Sequence, residues 1–434
     1  MRARLATTFQ SLTVRNYRLF ITGQMLKLLG SWMQVTAQDW LVLQLTDNSA
    51  QALGVVTAFQ FTPVLLLSLY GGKLADRYDK RKMIIAANFV VSGLALFLGL
   101  LVATDHVTLH WIFFTAALMG VVNAIEPPVR QSFVGEMVPQ ELLPNALSLS
   151  AATFNTARII GPAIAGVAID VVGLTPVFLL NTVAYVWPTI MMLQMRTSEL
   201  HRAPRGAPRD TRVREGLRYV WRRSDLLLPM VLMLGIGFVG FNFTLTLPLL
   251  AKNVFHTGAS QFGLLTTAIA VGALMGAFAG SGRRSRPSVY VLLGAAVGFG
   301  ALELVAGLSS SFLLTAVLLV PTGFFMVYFA QASNQRLQLG SEPAYRGRVI
   351  AMWSLVFFGT TPVSAPVVGW VGQHFGPRTA VWGGGLITLI IALAALGYQL
   401  HRSGARIRIR LSPLPRFYVV TPTEAPVPVA ASAS

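Results

Sequence analysis

The chain lacks cysteine altogether and is poor in charged residues, which make up only 12% of its 434 positions. Without cysteine it forms no disulfide, iron–sulfur cluster or thiolate zinc site. Soluble proteins carry about 25% charged residues, whereas 54% of this chain is hydrophobic. This balance excludes an ordinary soluble enzyme domain, a disordered chain and a coiled coil. It indicates a protein that crosses a membrane several times.

Apolar runs of about 20 residues, the length a helix needs to cross the hydrocarbon core, recur along the whole chain. The approximate limits of these runs are 17–45, 51–71, 83–103, 111–138, 144–168, 176–195, 226–250, 259–281, 288–308, 311–339, 346–371 and 378–398. The sequence therefore predicts an all-α membrane protein with twelve transmembrane helices.

Acidic residues are scarce, 16 against 34 basic ones, and the basic residues are unevenly placed. If the spans alternate in direction, 29 of the 34 lie on one side of the membrane, and only Lys252 and Arg378 lie in loops on the other. Lys and Arg favour the cytoplasmic side, so we expect both termini in the cytoplasm. The composition favours a bacterial plasma membrane. Topology accounts for the net charge, and no nucleic-acid partner is expected.

A basic linker over 196–225 separates six spans from six spans. We expect an N-terminal half over 1–195, a C-terminal half over 226–400 and a disordered cytoplasmic tail over 401–434. Residues 51–57 resemble residues 260–266, and residues 161–166 resemble residues 365–369. These similarities predict two pseudo-symmetric six-helix bundles, an arrangement found in many secondary transporters.

The loop between spans 2 and 3 is dense in charge, and its lysine and arginine at 80 and 81 are placed to pair with Glu136. It resembles the G-x-x-x-D-R-x-G-R-[RK] motif of the major facilitator superfamily. The matching residues are Gly72, Asp76, Arg77, Lys80 and Arg81. Asp79 departs from the usual glycine. The resemblance implies a transporter in which this loop is a cytoplasmic latch, with Asp76 facing the start of helix 11 near residues 347–349.

Span 5 carries a second resemblance, to the G-x-x-x-G-P-x-x-G-G motif of exporters in that superfamily. Gly161, Pro162 and Gly166 match, while Ala157 and Ala165 replace glycines. Small residues allow helices to approach closely, so spans 5 and 8 are expected to touch. Segments over 16–20, 38–41 and 127–131 resemble the efflux subgroup that includes the enterobactin exporter. These resemblances favour export.

Polar residues recur at helical spacing on spans 1, 4 and 10, and span 7 carries one near its middle. The candidate cavity-lining residues are Ser31, Gln34, Gln38, Asn123, Asn242, Tyr328, Gln331 and Gln335. A polar stripe on a membrane helix faces a cavity or a partner helix rather than lipid. Hydrogen bonds between packed helices are the alternative explanation for each of these residues. Cavity aromatics such as Trp32 and Phe241 would suit a bulky apolar substrate.

Charged residues inside the spans are more informative, because each costs about 2.5–3.5 kcal/mol at the bilayer centre. The basic ones are Lys27, Arg130 and Arg158, and the acidic ones, in order of preference as proton carriers, are Glu126, Asp39 and Glu303. Similar depth predicts a pair between Glu126 and Arg158. A carboxyl that burial and a nearby cation affect in opposite directions is suited to take up and release a proton. A permanent structural ion pair is the alternative for Glu126.

These patterns predict a secondary active transporter that exports small amphipathic molecules, drug-like or siderophore-like, by proton antiport with alternating access. The alternatives are an importer or siderophore carrier of the same fold, and a membrane receptor or scaffold that transports nothing. The expected partners are the substrate, protons and the lipid bilayer. We expect no enzymatic activity, cofactor or metal site.

Overall fold

The computed structural model describes residues 9–201, 213–281 and 285–403, together with segments 406–410 and 416–420. Nearly all of this is α-helix. The helices are α1 (Arg15–Leu45), α2 (Ala50–Arg77), α3 (Lys80–Ala103), α4 (Leu109–Met137), α5 (Leu143–Val172), α6 (Leu174–Leu193), α7 (Val213–Trp221), α8 (Ser224–Gly240), α9 (Phe243–Leu249), α10 (Ala259–Ser281), α11 (Val289–Leu308), α12 (Phe312–Gly340), α13 (Pro343–Gly359), α14 (Thr361–Phe375) and α15 (Pro377–Ser403).

Within the described ranges, 11 helical segments are long and apolar enough to cross a membrane. Two of them are composite, since α8 and α9 belong to Ser224–Val254, and α13 and α14 belong to Tyr345–Phe375. Helix α1 spans 31 residues but is not among the 11. The polar and charged side chains that mark α1 as a cavity helix also lower its hydropathy. The count of twelve spans therefore stays a prediction.

The outer surface of the helices is strongly apolar, as a bilayer requires. Large side chains such as Phe89, Val171 and Leu313 are more than two-thirds exposed. The largest buried apolar cluster includes Leu41 from α1 and Phe299 from α11. It therefore joins helices from both parts of the chain.

The predicted span 7 is interrupted where α8 ends at Gly240 and α9 begins at Phe243. Asn242 sits in the gap, donating from Nδ2 to the Phe238 carbonyl at 2.9 Å and accepting at Oδ1 from the Ser364 hydroxyl at 3.0 Å. Broken helices persist at membrane depth where side chains satisfy the freed backbone groups. Asn242 is thus a residue of the helix break.

Helices on either side of the linker pack mostly with their own neighbours, as in the pairs α2 with α4 and α10 with α12. Two extensive contacts join the parts of the chain, α5 with α10 and α2 with α14. Each depends on glycine. A Cβ at Gly263 would lie 2.4 Å from the Pro162 carbonyl oxygen, and one at Gly54 would lie 2.5 Å from that of Ala365. The expected contact between spans 5 and 8 is therefore present.

These two helix pairs are built alike, with the first contacts repeated at offsets of 203 and 209 residues. A Cβ at Gly166 would lie 2.4 Å from the Ala259 carbonyl oxygen, and one at Gly369 would lie 2.7 Å from that of Ala50. The numbers 166 and 369 differ by the first offset, and 50 and 259 by the second. The internal similarity seen in the sequence thus coincides with repeated close contacts.

Each pair also carries a side chain that caps a helix across the contact. Asp170 accepts from the backbone N–H groups of Ala259 (3.0 Å) and Ser260 (2.8 Å) at the start of α10. Gln373 accepts from the Ala50 N–H (2.8 Å) at the start of α2. Positions 170 and 373 are again 203 residues apart, so both caps occupy equivalent places.

The tail differs from the expected disorder over two short segments. Residues 406–410 and 416–420 pair as antiparallel strands β1 (Arg406–Arg410) and β2 (Arg416–Val420). The alternating Arg-Ile-Arg-Ile-Arg of β1 has the two-residue period of a strand. The rest of the tail lies outside the described residues.

Candidate functional site

Two adjoining cavities lie where the two parts of the chain meet. The first has a volume of about 250 Å³ and is lined mainly by α1, α2, α4 and neighbouring helices. The second, about 220 Å³, is lined by α1, α9 and α10 with single residues of α5, α12 and α13. They share Trp32, Val35, Asp39 and Thr244. We call them the first and second cavity.

The first cavity contains a buried cluster of three charges. Lys27 of α1 donates from Nζ to Glu126 Oε1 of α4 at 2.8 Å, and Arg130 Nε lies 3.3 Å from the same oxygen. Lys27 and Glu126 are both less than one-tenth exposed. Because Arg130 is one helical turn beyond Glu126, α4 presents both groups to α1. The cluster holds Glu126 between two cations.

Arg158 does not pair with Glu126, contrary to the sequence prediction. Similar depth brought the two residues together in the prediction, but depth does not determine which way each helix faces. Arg158 of α5 instead lines the second cavity. Its Nε has no hydrogen-bond partner among the described residues. The second cavity therefore contains a guanidinium with free donor capacity.

Asp39 lines both cavities and is only 7% exposed. Within the described ranges it makes no ion pair or hydrogen bond. Its environment contrasts with that of Glu126, which is held by cations. Asp39 is thus the buried acid that faces the cavities without a fixed partner.

The other polar candidates of α1 and α4 divide between the cavity and helix packing. Ser31 and Asn123 line the first cavity. Gln34 is buried against α6, where it accepts from Asn181 Nδ2 at 2.6 Å. Gln38 is also buried and does not line either cavity.

The candidates of α12 face its neighbours instead of these two cavities. Tyr328 stacks on Phe324, with ring centroids 5.5 Å apart. Gln335 donates to the Gly280 carbonyl of α10 at 3.0 Å, and Gln331 packs on the same glycine. The helix-packing alternative therefore describes α12 and Asn242 better. The α12 residue that lines the second cavity is Met326.

Glu303, the third candidate acid, lies on α11 away from both cavities. It is 3% exposed and packs against Gly240 and Thr388.

Sequence reasoning missed several lining residues. Thr57, Gln60, Tyr185 and Thr244 all border the first cavity. Tyr185 of α6 meets the Ser31 hydroxyl at 2.5 Å, and Lys27 Nζ lies 6.0 Å from the Tyr185 ring centre. Isolated hydroxyl residues form no stripe, so nothing in the sequence distinguishes them from ordinary membrane-helix residues.

Part of the predicted latch is visible. Lys80 pairs with Glu136 at 2.5 Å, as expected. Arg81 does not pair with Glu136. It donates to the carbonyls of Met192 (2.9 Å) and Leu193 (3.3 Å) at the end of α6. Arg77 is exposed, and the side chains of Gly72 and Asp76 lie outside the described residues.

A family model described as "Transmembrane secretion effector", of the major facilitator superfamily, matches residues 6–424. The staphyloferrin A transporter of Staphylococcus aureus is 28% identical over 261 residues, covering 59% of this chain and 65% of that relative. The enterobactin exporter of Citrobacter koseri is 24% identical over 371 residues, covering 83% and 86%.

Solved transporters share the fold. A bacterial homolog of the human lysosomal transporter Spinster, inward-facing and unoccupied, has a TM-score of 0.69 at 15% identity, covering 89% of this chain and 96% of that one. The peptide transporter PepTSo has a TM-score of 0.70 at 12% identity, covering 89% and 99%. With the family match over nearly the whole chain, this protein belongs to the transmembrane secretion effector family of major facilitator superfamily transporters.

Proposed function

We propose that this chain is a secondary active transporter that exports small amphipathic molecules from the bacterial cell by proton antiport. The observation that carries the proposal is the pair of cavities between the two parts of the chain, which hold five buried or half-buried charged groups. Charges are rarely kept at membrane depth without a functional reason. A receptor or scaffold has no need of them there.

The membrane arrangement proposed here has twelve spans in two six-helix bundles, with both termini in the cytoplasm. Helix α1 is the twelfth span, because it is long enough to cross and lines both cavities with Asp39. The basic loops then lie on the cytoplasmic side. The α5–α10 and α2–α14 contacts hold the bundles together near the opposite side.

The substrate class that suits the cavities is an amphipathic anion of siderophore type. Arg158 offers an unsatisfied guanidinium, and aromatic side chains such as Phe241 and Phe262 form apolar walls around the second cavity. Arginine binds carboxylate-like groups through two parallel hydrogen bonds. The names of the relatives, a staphyloferrin A transporter and an enterobactin exporter, agree with this class.

Asp39 is the proposed proton carrier, and the structure favours it over Glu126. Glu126 is held by Lys27 and Arg130, so its charge is already compensated. Asp39 faces both cavities with no cation bonded to it among the described residues. A carboxyl in that position gains or loses its proton according to whether water fills the cavity. Occupation of Arg158 by an anion would alter the field at Asp39 in the shared space.

The transport assay uses purified protein in proteoliposomes, with metal-free enterobactin and staphyloferrin A as probes. Export by antiport predicts accumulation in vesicles with an acidic lumen and its loss when a protonophore is added. Asp39→Asn is expected to keep substrate exchange and lose the response to the gradient. Asp105→Asn, in an exposed loop, is the matched control.

Uptake of siderophores is the second candidate, since one relative is named a transporter without a stated direction. Accumulation driven by the opposite proton gradient would support it and overturn export. Binding of both probes without flux under either gradient would indicate a receptor. Flux insensitive to any proton gradient would overturn antiport.

A further inference from the structure

A buried acid lies outside both cavities, in the packing between α8, α11 and α15. Glu303 of α11 is 3% exposed, and its Oε2 has no hydrogen-bond partner among the described residues. Thr388 of α15 is fully buried, and its Oγ1 is likewise without a partner there. An unpaired buried oxygen costs free energy, and here two occur side by side.

The two oxygens converge on the end of a broken helix. A Cβ at Gly240, the last residue of α8, would lie 3.0 Å from Glu303 Oε2 and 3.0 Å from Thr388 Oγ1. On the other side, a Cβ at Gly384 would lie 3.4 Å from Glu303 Oε1 and 2.6 Å from the Val239 carbonyl oxygen. The carboxyl thus occupies a slot that exists because both positions are glycine.

Helices α8, α12 and α15 pack against α11, and their titratable or charged groups are accounted for elsewhere. Asp225 bonds Arg223 and Arg286, Arg336 donates to Pro287 O, and Arg402 donates to Ser224. Arg378 lies 5.9 Å from the Phe255 ring centre, and Tyr328 stacks on Phe324. Tyr398 and His401 are exposed. No cation is recorded on Glu303 among the described residues.

An ionised carboxylate without a cation is very costly in such surroundings. A protonated carboxyl is not, because its O–H donates to an oxygen and its second oxygen stays an acceptor. The acceptors in reach of the slot are neutral, the Thr388 hydroxyl and a backbone carbonyl. The chemistry of these groups therefore matches a proton as the ligand.

The slot is connected to the second cavity through aromatic rings. Phe241, in the gap between α8 and α9, lines that cavity, and its ring centre lies 5.4 Å from that of Phe299. Phe299 is one helical turn before Glu303 and also contacts Gly240, with Cε1 2.8 Å from a Cβ built there. A substrate that displaces Phe241 would move the helix end against which the carboxyl packs.

We propose that Glu303, Thr388 and the Gly240 end of α8 form a second proton-binding site, separate from the cavity acids and linked to the cavity by Phe241 and Phe299. When the helix break shifts, the Glu303 O–H bond breaks, its proton passes to water, and the carboxylate is left in the opened slot. Only the role in coupling rests on the proposed function, since proton binding itself requires no transport.

Infrared difference spectroscopy of the full-length protein in detergent micelles, from acidic to alkaline pH and without substrate, tests the proposal. The wild type is expected to lose a carboxylic-acid C=O band that Glu303→Gln lacks from the outset. Gly240→Ala, whose methyl group would press on both oxygens, is expected to shift that band and the pH at which it disappears. Glu199→Gln, at an exposed acid, is the matched control and leaves the band unchanged.

Thr388→Val removes the neighbouring hydroxyl and is expected to shift the same band, whereas Thr322→Val, at a buried hydroxyl bonded within α12, is not. Thermal unfolding of each variant reports whether it is folded. A Glu303 band that persists at every pH would overturn the proposal, as would a spectrum identical in wild type and Glu303→Gln. Stabilisation of the wild type by sodium chloride over choline chloride, absent in Glu303→Gln, would identify sodium as the ligand and would also overturn it.

Discussion

At the scale of single residues, the cavities separate charges that are paired from charges that are free. Lys27, Glu126 and Arg130 compensate one another within α1 and α4. Arg158 and Asp39 line the second cavity without recorded ion pairs among the described residues. The first set is suited to hold helices in register, and the second to meet a substrate and a proton.

Lys27→Met is expected to destabilise the protein, because Glu126 would lose a charged hydrogen bond and keep only Arg130. Such bonds contribute about 1.5–3 kcal/mol. The measurement is the thermal unfolding midpoint in detergent. Lys27→Met combined with Glu126→Gln should recover part of the loss, and Lys252→Met is the control. Equal midpoints for wild type and Lys27→Met would contradict a stabilising pair.

Arg158→Gln is expected to raise the KM for an anionic siderophore about tenfold, corresponding to about 1.4 kcal/mol. The reason is that glutamine keeps polar contacts but loses the charge and the paired donors. Transport in proteoliposomes measures it, with Arg378→Gln, outside both cavities, as the control. An unchanged KM would remove Arg158 from substrate binding.

At the scale of elements, two equivalent helix pairs join the halves of the chain. In each pair a glycine admits a carbonyl from the opposite helix, and a side chain caps the helix that begins there. Caps at helix N-termini stabilise by about 1 kcal/mol, and a carboxylate gains further from the helix dipole. The charged cap Asp170 therefore holds its pair more strongly than the neutral cap Gln373.

Asp170→Ala is expected to part α5 from α10 and open the cavities toward that end. A single cysteine at Val35, which lines both cavities, would then react faster with a membrane-impermeant maleimide. Gln373→Ala should act in the same direction but less strongly, and Glu199→Ala should have no effect. Labelling rates that do not change with Asp170→Ala would show that the cap does not hold the contact.

At the scale of the whole molecule, the absence of cysteine makes the proposed topology directly testable. Single cysteines at the exposed positions Lys82 and Arg222 are expected to react only from the cytoplasmic side. Those at Asp105 and Ser310 are expected to react only from outside. The readout is labelling of intact cells and inverted vesicles with an impermeant maleimide. Reaction of positions 82 and 222 from opposite sides would refute the twelve-span arrangement.

Sequence reasoning located much of the first cavity, since Lys27, Ser31, Asn123, Glu126 and Arg130 all line it. The membrane makes polar residues conspicuous, because lipid cannot satisfy them. It failed for α12, where glutamines face Gly280, and for Asn242, which bonds the break in its own span. A polar stripe shows that a helix face avoids lipid, but it does not distinguish a cavity from a neighbouring helix.

The sequence by itself determined membrane residence, helical class, family and the set of buried charges, because hydropathy, charge distribution and motif spacing are local properties. Only the tertiary structure decided that Glu126 meets Lys27 and Arg130 and that Arg158 faces the second cavity. It also placed Glu303 against Gly240 and Thr388. The physical reason is that ion pairs and cavities depend on the rotation and crossing of helices distant in sequence. Close packing at glycines sets that geometry.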